Sequence, residues 1–193
     1  MSNTMLSRLS EQEYLHGELT SEVRHEYVDG EVYAMAGAGE AHNLIAGNIF
    51  AKLRDFVRGG PCRVFISDMK LHVQTWKAYY YPDIMVTCDP SDSHNHFKER
   101  PSLVVEVLSP STESTDRREK MLSYRTLPSL REYLLVATDK RQVDLYRRDE
   151  HDEWQLAAAS QDEPLLLESV GASLTLDEIY EDVRLDVQAL GTA

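Results

Sequence analysis

"YYYPDIMVTCDP", residues 79–90, sets Asp83 into a run that otherwise has the composition of a buried strand. Aromatic and β-branched residues suit a pleated, half-buried surface. A carboxylate inside such a run is costly unless something pairs with it. The same interruption recurs in "PSLVVEVLSPST", residues 101–112, where Glu106 stands among valines and leucines. Successive strand side chains alternate between faces, so Asp83 shares a face with Tyr81, Met85 and Thr87, and Glu106 with Val104 and Leu108. If the two strands are neighbours with those faces on one side, the carboxylates converge.

Outward from this pair, "RVFISDMKLHV" (63–73) alternates apolar and polar residues and ends near Thr75, where "TWKAY" leads into the Asp83 strand. These two runs are expected to pair antiparallel. The polar, turn-rich "CDPSDSHNHFKERP" (88–101) reads as a mobile loop between the Asp83 and Glu106 strands. After Ser109 and Pro110, "STESTDRREKMLSYRTL" offers a serine or threonine cap, early acids and a helical pattern to Leu127, ended by Pro128. Upstream, "LSEQEYLHGE" predicts a short helix from Ser10 to Gly17, and "HEYVDGEVYAM" a hairpin turning at Asp29 and Gly30. Apolar residues at 41, 44, 45, 49, 53, 56 and 57 predict a long helix from Glu40 to Arg58, stopped by Gly59 and Gly60. Downstream, "EYLLVATDKRQVDLYRR" predicts two strands joined around Asp139 and Lys140. A third strand follows at "WQLAAAS" (154–160), and a short helix in "SLTLDEIYEDV".

The order helix, hairpin, helix, strands, helix, strands predicts an α/β (mixed α+β) fold, a central mixed β-sheet flanked by helices. At 193 residues and 42% hydrophobic content, without repeats, a single domain over 1–193 is expected. The net charge of −13, from 33 acids against 20 bases, weighs against electrostatic attraction to a polyanion. Cys62 and Cys88 are too few and too far apart for a zinc-finger pattern and read as reduced thiols. With no secretory signal and no apolar run of about 18 residues, the expectation is a cytoplasmic protein without a membrane span.

Two converging acids suit a hard cation, magnesium or manganese, which takes oxygen ligands. The alternative is a dyad sharing a proton, as in aspartic or glycosidic chemistry. The metal is favoured because a helix with further polar groups follows Glu106. There Asp116, Lys120 and Tyr124 are spaced by four and lie along one face. A lysine beside a metal can orient a water, stabilise negative charge or act as a base. The plainer reading is a surface ion pair of Asp116 with Lys120, worth a few tenths of a kcal/mol, roughly.

"PDI" at 82–84, "VVEVLSPST" at 104–112, "DRREKMLSY" at 116–124 and "REYLLV" at 131–136, with "RHEYVDGEVYAMAG" and the histidine of "AHNLIAGNI", resemble one bacterial family. It is the "putative restriction endonuclease" family of the PD-(D/E)XK nuclease superfamily, and the likeness covers about residues 10–185. The resemblance implies a restriction-endonuclease-like core of helix, three strands, helix and strand, and metal-dependent cleavage of DNA phosphodiesters. Carried over by position, it makes Asp83 and Glu106 metal ligands, with the carbonyl of Val107 a further ligand. Two residues after the second acid, where the superfamily pattern has lysine, this chain has Leu108. The resemblance moves that role to Lys120, with Lys70 as a second candidate donor.

Other residues carry weaker readings. Glu26 is a candidate to reach the metal from the hairpin, against a salt bridge with Arg24 or Lys52. His42 opens the long helix, where it contacts substrate phosphate or simply faces solvent. Asp68, by alternation, is expected to face the site together with Lys70. His94 and His96 lack further ligands for zinc, and Tyr79, Tyr80 and Tyr81 read as packing residues more than as a base-stacking platform. The leading function is therefore a Mg²⁺- or Mn²⁺-dependent deoxyribonuclease in which Asp116 and Tyr124 support Lys120. The competing reading is a catalytically silent nuclease fold acting in protein binding or dimerisation, favoured by Leu108, the acidity and the lack of a basic stripe. A metal-independent glycosidase ranks last. By analogy with dimeric nucleases, a homodimer would use the strands of 142–160.

Overall fold

Ser10 starts the first helix. Its hydroxyl accepts from the Glu13 amide, and the Glu13 carboxylate accepts from the Ser10 amide at 2.9 Å, a capping box that starts α1 (Glu11–Glu18). Strands β1 (His25–Val28) and β2 (Glu31–Ala34) turn through Asp29 and Gly30, both left-handed with φ of 43° and 99°. That is the conformation for which the Asp-Gly dipeptide is suited. Helix α2 (Glu40–Phe56) buries Ala41, Ile45, Ala46, Ile49 and Leu53 along one stripe, as the apolar spacing predicts. The computed structural model describes residues 8–35, 37–109, 113–158 and 163–185.

The run expected as one strand over 63–75 is two, β3 (Arg63–Ile66) and β4 (Lys70–Val73), separated at Ser67, whose φ is +53°. The Asp83 run is likewise divided into β5 (Ala78–Tyr80) and β6 (Ile84–Thr87) around Pro82, which has no N–H to give a ladder. The expected antiparallel pairing holds twice, β3 with β6 and β4 with β5, but in different sheets. The two crossing points touch: the Ser67 amide donates to the Asp83 carbonyl at 3.0 Å.

The remaining strands are β7 (Phe97–Lys98), β8 (Pro101–Leu108), β9 (Glu132–Ala137), β10 (Val143–Arg148), β11 (Trp154–Ala158), β12 (Leu165–Leu167) and β13 (Ala172–Leu174). Among the described residues they form a five-stranded sheet, β2-β1-β5-β4-β7, a six-stranded sheet, β11-β10-β9-β8-β6-β3, and the hairpin β12-β13. The six-stranded sheet is mixed, because β8 runs parallel to β9 and antiparallel to β6. One of its faces, including Ile84, Val86, Val105 and Val136, packs on the buried stripe of α2. The other, including Met85, Val104, Leu108 and Leu135, packs on Leu71 and Tyr80 of the five-stranded sheet and on Met121 and Tyr124. The expected mixed sheet with helices is therefore present, with a second sheet layered against it.

A helix with a π turn follows β8: α3 (Glu113–Thr115), the π turn Asp116–Lys120, and α4 (Met121–Tyr124). Its expected cap at 111–112 lies outside the described residues, as do 159–160 of the third late strand. β11 is the outer strand of the six-stranded sheet, and the short helix expected in the tail is α5 (Leu176–Ile179).

Two expectations are corrected. Cys62 and Cys88 are joined in a disulfide, not separate thiols. The register pairs Arg63 with Thr87, so the next positions outward bring the two cysteines side by side. The segment 88–101 is not a free loop. The buried Asp92 carboxylate accepts from the amides of Glu99 and Arg100, and the buried Lys98 ammonium donates to the carbonyls of Asp92 and His94. β7 then adds in parallel to β4.

Candidate active site

The β6–β8 register pairs Ile84 with Val105, which sets Asp83 opposite Glu106 at the point where the chain crosses between sheets. The two residues are laced together. The Val107 amide donates to Asp83 Oδ2 at 2.7 Å, and the Asp83 amide lies 3.4 Å from Glu106 Oε2. The convergence expected from alternation is thus realised.

Lys120, buried at 6% exposure in the π turn, reaches into this pair. Its Nζ lies 2.9 Å from Glu26 Oε1, 3.2 Å from Asp116 Oδ1 and 3.4 Å from Glu106 Oε1. Tyr124, one helical turn on, donates its hydroxyl to Glu106 Oε1 at 2.9 Å, and the Tyr133 hydroxyl donates to the Asp116 carbonyl. Glu26, from β1, also accepts from the Tyr81 amide at 3.1 Å, so neither Arg24 nor Lys52 is its partner. His42 enters from the first turn of α2, with Nε2 3.2 Å from Asp83 Oδ2. Asp116 and Lys120 share a face as their spacing predicts, but inside a π turn, a feature that recurs at functional sites.

Electrostatically the cluster is overloaded with negative charge: Glu26, Asp83, Glu106 and Asp116 face one ammonium and one imidazole. Burial pushes the Glu106 carboxyl well above the usual range; Lys120 pulls it back, while Asp116, Asp83 and Glu26 push it further up. Burial works against the Lys120 ammonium, but the charges of Glu106, Glu26 and Asp116 outweigh it and raise its pKa well above an ordinary lysine's. The His42 imidazolium is likewise disfavoured by burial, yet its hydrogen bond and charge interaction with Asp83 prevail and raise it.

The cluster lies along a cavity of about 480 Å³. Besides the acids, Lys120 and His42, its lining includes Arg24, Tyr33, Asn43, Ser67 and Gly37–Gly39. Two expected residues are elsewhere. Asp68 is exposed and paired with Arg24. Lys70 shares a sheet face with His72 and Tyr81, resting over the Tyr81 ring at 5.1 Å, where burial lowers its pKa. Glu26, on β1, points to the opposite face from Tyr27 and so from this group. Alternation failed for Asp68 and Lys70 because the turn at Ser67 breaks the strand between them and β3. His94 stacks on Phe97, and Tyr79 and Tyr80 are packed in aromatic clusters. Tyr33 and Tyr133 were missed. Tyr33 had a signal in the hairpin register, which sets it opposite Glu26.

Residues 11–178 match the family model described as "Putative restriction endonuclease". The chain belongs to this Uma2 family. Two uncharacterized proteins of Synechocystis sp. are similar along most of their length. One, slr1290, is 38% identical over 174 residues, covering 90% of this chain and 92% of its own. The other, sll1609, is 33% identical over 151 residues, covering 77% and 85%. The fold matches the crystal structure of a putative nuclease belonging to DUF820 from Anabaena variabilis, with a TM-score of 0.67 at 17% identity, over 83% of this chain and 91% of that one. This Uma2 member has no helix, among the described residues, long and apolar enough to cross a membrane.

Proposed function

We propose that this Uma2 protein is a metal-dependent endonuclease that hydrolyses DNA phosphodiester bonds, with Asp83 and Glu106 as its central acids. The observation that carries this reading is the cross-strand pairing of those acids beside a buried lysine, at the edge of one cavity. The donor set fits a hard divalent cation. It is made of oxygens, and its four carboxylates exceed the one ammonium and one imidazole that face them. Magnesium is an ion usually held by one or two carboxylates with solvent and substrate oxygens. Asp83, Glu106 and the Val107 carbonyl would hold it.

A magnesium or manganese ion bound there supplies charge neutralisation for a phosphodiester and a more acidic water. The chain's own residues do the positioning. Glu26 and Asp116 hold the Lys120 ammonium in place against Glu106, at the edge of the cavity. A preorganised cation of this kind stabilises charge that develops on phosphate oxygens. Tyr124 fixes the Glu106 carboxylate from behind, and His42 fixes Asp83. Leu108, where a motif lysine would stand, is buried in the core, so Lys120 replaces it from the following helix.

One observation favours a second reading: the Lys120 ammonium already has three carboxylates as partners, as a purely structural ion cluster would. A catalytically silent module that binds a protein partner or dimerises would keep such a cluster. Supercoiled plasmid incubated with the full chain separates the two. Nicking in magnesium or manganese, absent with chelator and absent in Asp83→Asn at unchanged circular dichroism, is expected of the nuclease. Equal nicking by the parent and Asp83→Asn would remove it.

A further inference from the structure

The cavity beside the acids joins two unlike surfaces. Asp83 and Glu106 give it a charged pole, while Tyr33, Ala34, Met35 and Ile66 give it an aromatic and apolar wall. Tyr33 is held close to the charged pole by strand geometry. It is the direct cross-strand partner of Glu26, the residue that grips Lys120 at 2.9 Å. Directly opposed side chains in an antiparallel pair share a face, with Cβ atoms about 5 Å apart. Yet Tyr33 is not packed away. It is 51% exposed and, among the described residues, its hydroxyl is engaged by Glu31 on its own strand, which leaves ring surface open.

Backbone electrostatics cannot supply much of the recognition. The chain carries −13, Arg24 at the cavity is tied to Asp68, and Lys120 is tied to three carboxylates. Proteins that draw affinity from a duplex backbone do so through many lysine and arginine contacts to phosphates. What this cavity offers is a π face and apolar wall next to the two acids, the stacking half of the recognition that single-strand binders use on unstacked bases. A duplex keeps its base faces stacked and out of reach. Resting on the nuclease reading above, we propose that the substrate is unpaired DNA, a single strand or a frayed or looped segment, with Tyr33 stacking on a base next to the phosphodiester presented to Asp83 and Glu106.

The test measures anisotropy of a fluorescein-labelled strand of about 12 nucleotides, a length typical of single-strand sites, and of the same strand in duplex, with calcium replacing magnesium. Cleavage of both is followed in magnesium or manganese. The single strand is expected to bind at least about tenfold tighter than the duplex, and Tyr33→Ala to weaken it by about 5- to 100-fold, the range for loss of one stacked base. Tyr33→Phe, which keeps the ring, is expected to stay within about twofold of the parent. Duplex bound and cut as well as single strand, or Tyr33→Ala binding like the parent, would overturn the inference while leaving a nuclease. If the parent neither binds nor cuts either form, the nuclease reading fails and this inference falls with it.

Discussion

Replacing Lys120 with methionine removes the ammonium while roughly keeping the side-chain volume. In the parent that ammonium lies within 3.4 Å of Glu26, Asp116 and Glu106, and Asp116 and Glu106 are 2% and 3% exposed. Without it, three carboxylates are left together in a site that solvent barely reaches. Removing one partner of a buried ion pair costs about 3–5 kcal/mol, because the other charge is stranded. Here three carboxylates lose the same cation, while Glu26 keeps the Tyr81 amide and Glu106 the Tyr124 hydroxyl and protonation of one or two of them limits the loss, so about 3–5 kcal/mol is the working figure. For a chain of this size each kcal/mol lowers Tm by about 2–4 °C, which gives a fall of about 6–20 °C. Thermal and guanidinium unfolding of Lys120→Met against the parent, at pH 7 without divalent metal, measures it. A Tm within about 2 °C of the parent would mean a loss below about 1 kcal/mol and would refute a buried cluster that depends on this one cation.

Glu106→Gln is expected to act in the opposite direction on stability. The Glu106 carboxyl is raised in the fold, so it binds its proton more tightly folded than unfolded. Its charged form therefore opposes folding at pH 7, and the penalty fades as pH falls through the folded pKa. The variant should melt at or above the parent's temperature while losing metal-dependent nicking; a destabilised variant would contradict this. Glu132→Ala should cost about 3 kcal/mol in chemical unfolding, since the buried carboxylate accepts from Arg147, the amides of Glu168 and Ser169 and the Ser169 hydroxyl. Asp68→Ala, exposed, should stay within about 0.5 kcal/mol. Hydrogen bonds from Ser91 and Arg100 lower the Asp89 carboxyl to about 2. Its stabilising contribution is therefore complete above the unfolded value of about 3.9 and is lost as pH falls from there through about 2. A carbon-detected NMR titration giving Asp89 an ordinary midpoint would contradict it.

Much of this was readable from local chemistry. The Ser10 capping box, the Asp-Gly hairpin and the apolar stripe of α2 are decided within a few residues. The convergence of Asp83 and Glu106 required only alternation and one correct pairing. One pair of misplacements has a single cause: the chain changes sheets at Ser67 and at Pro82, and alternation cannot be counted through a break. Asp68 and Lys70 were misassigned for that reason. The Cys62–Cys88 link depended on the register of β3 with β6, which composition does not reveal. The hold of Asp92 on its loop, and of Glu132 on the β12-β13 hairpin, are single buried carboxylates that collect distant backbone amides. Nothing in their immediate sequence distinguishes them from solvated acids.

The most direct test of the central claim is a calorimetric titration of the metal-free chain with manganese, run beside Asp83→Asn and Glu106→Gln. If the two acids hold one hard cation together, the parent takes up about one ion per chain and each variant loses that heat. Parent and variants giving the same heat would contradict the account.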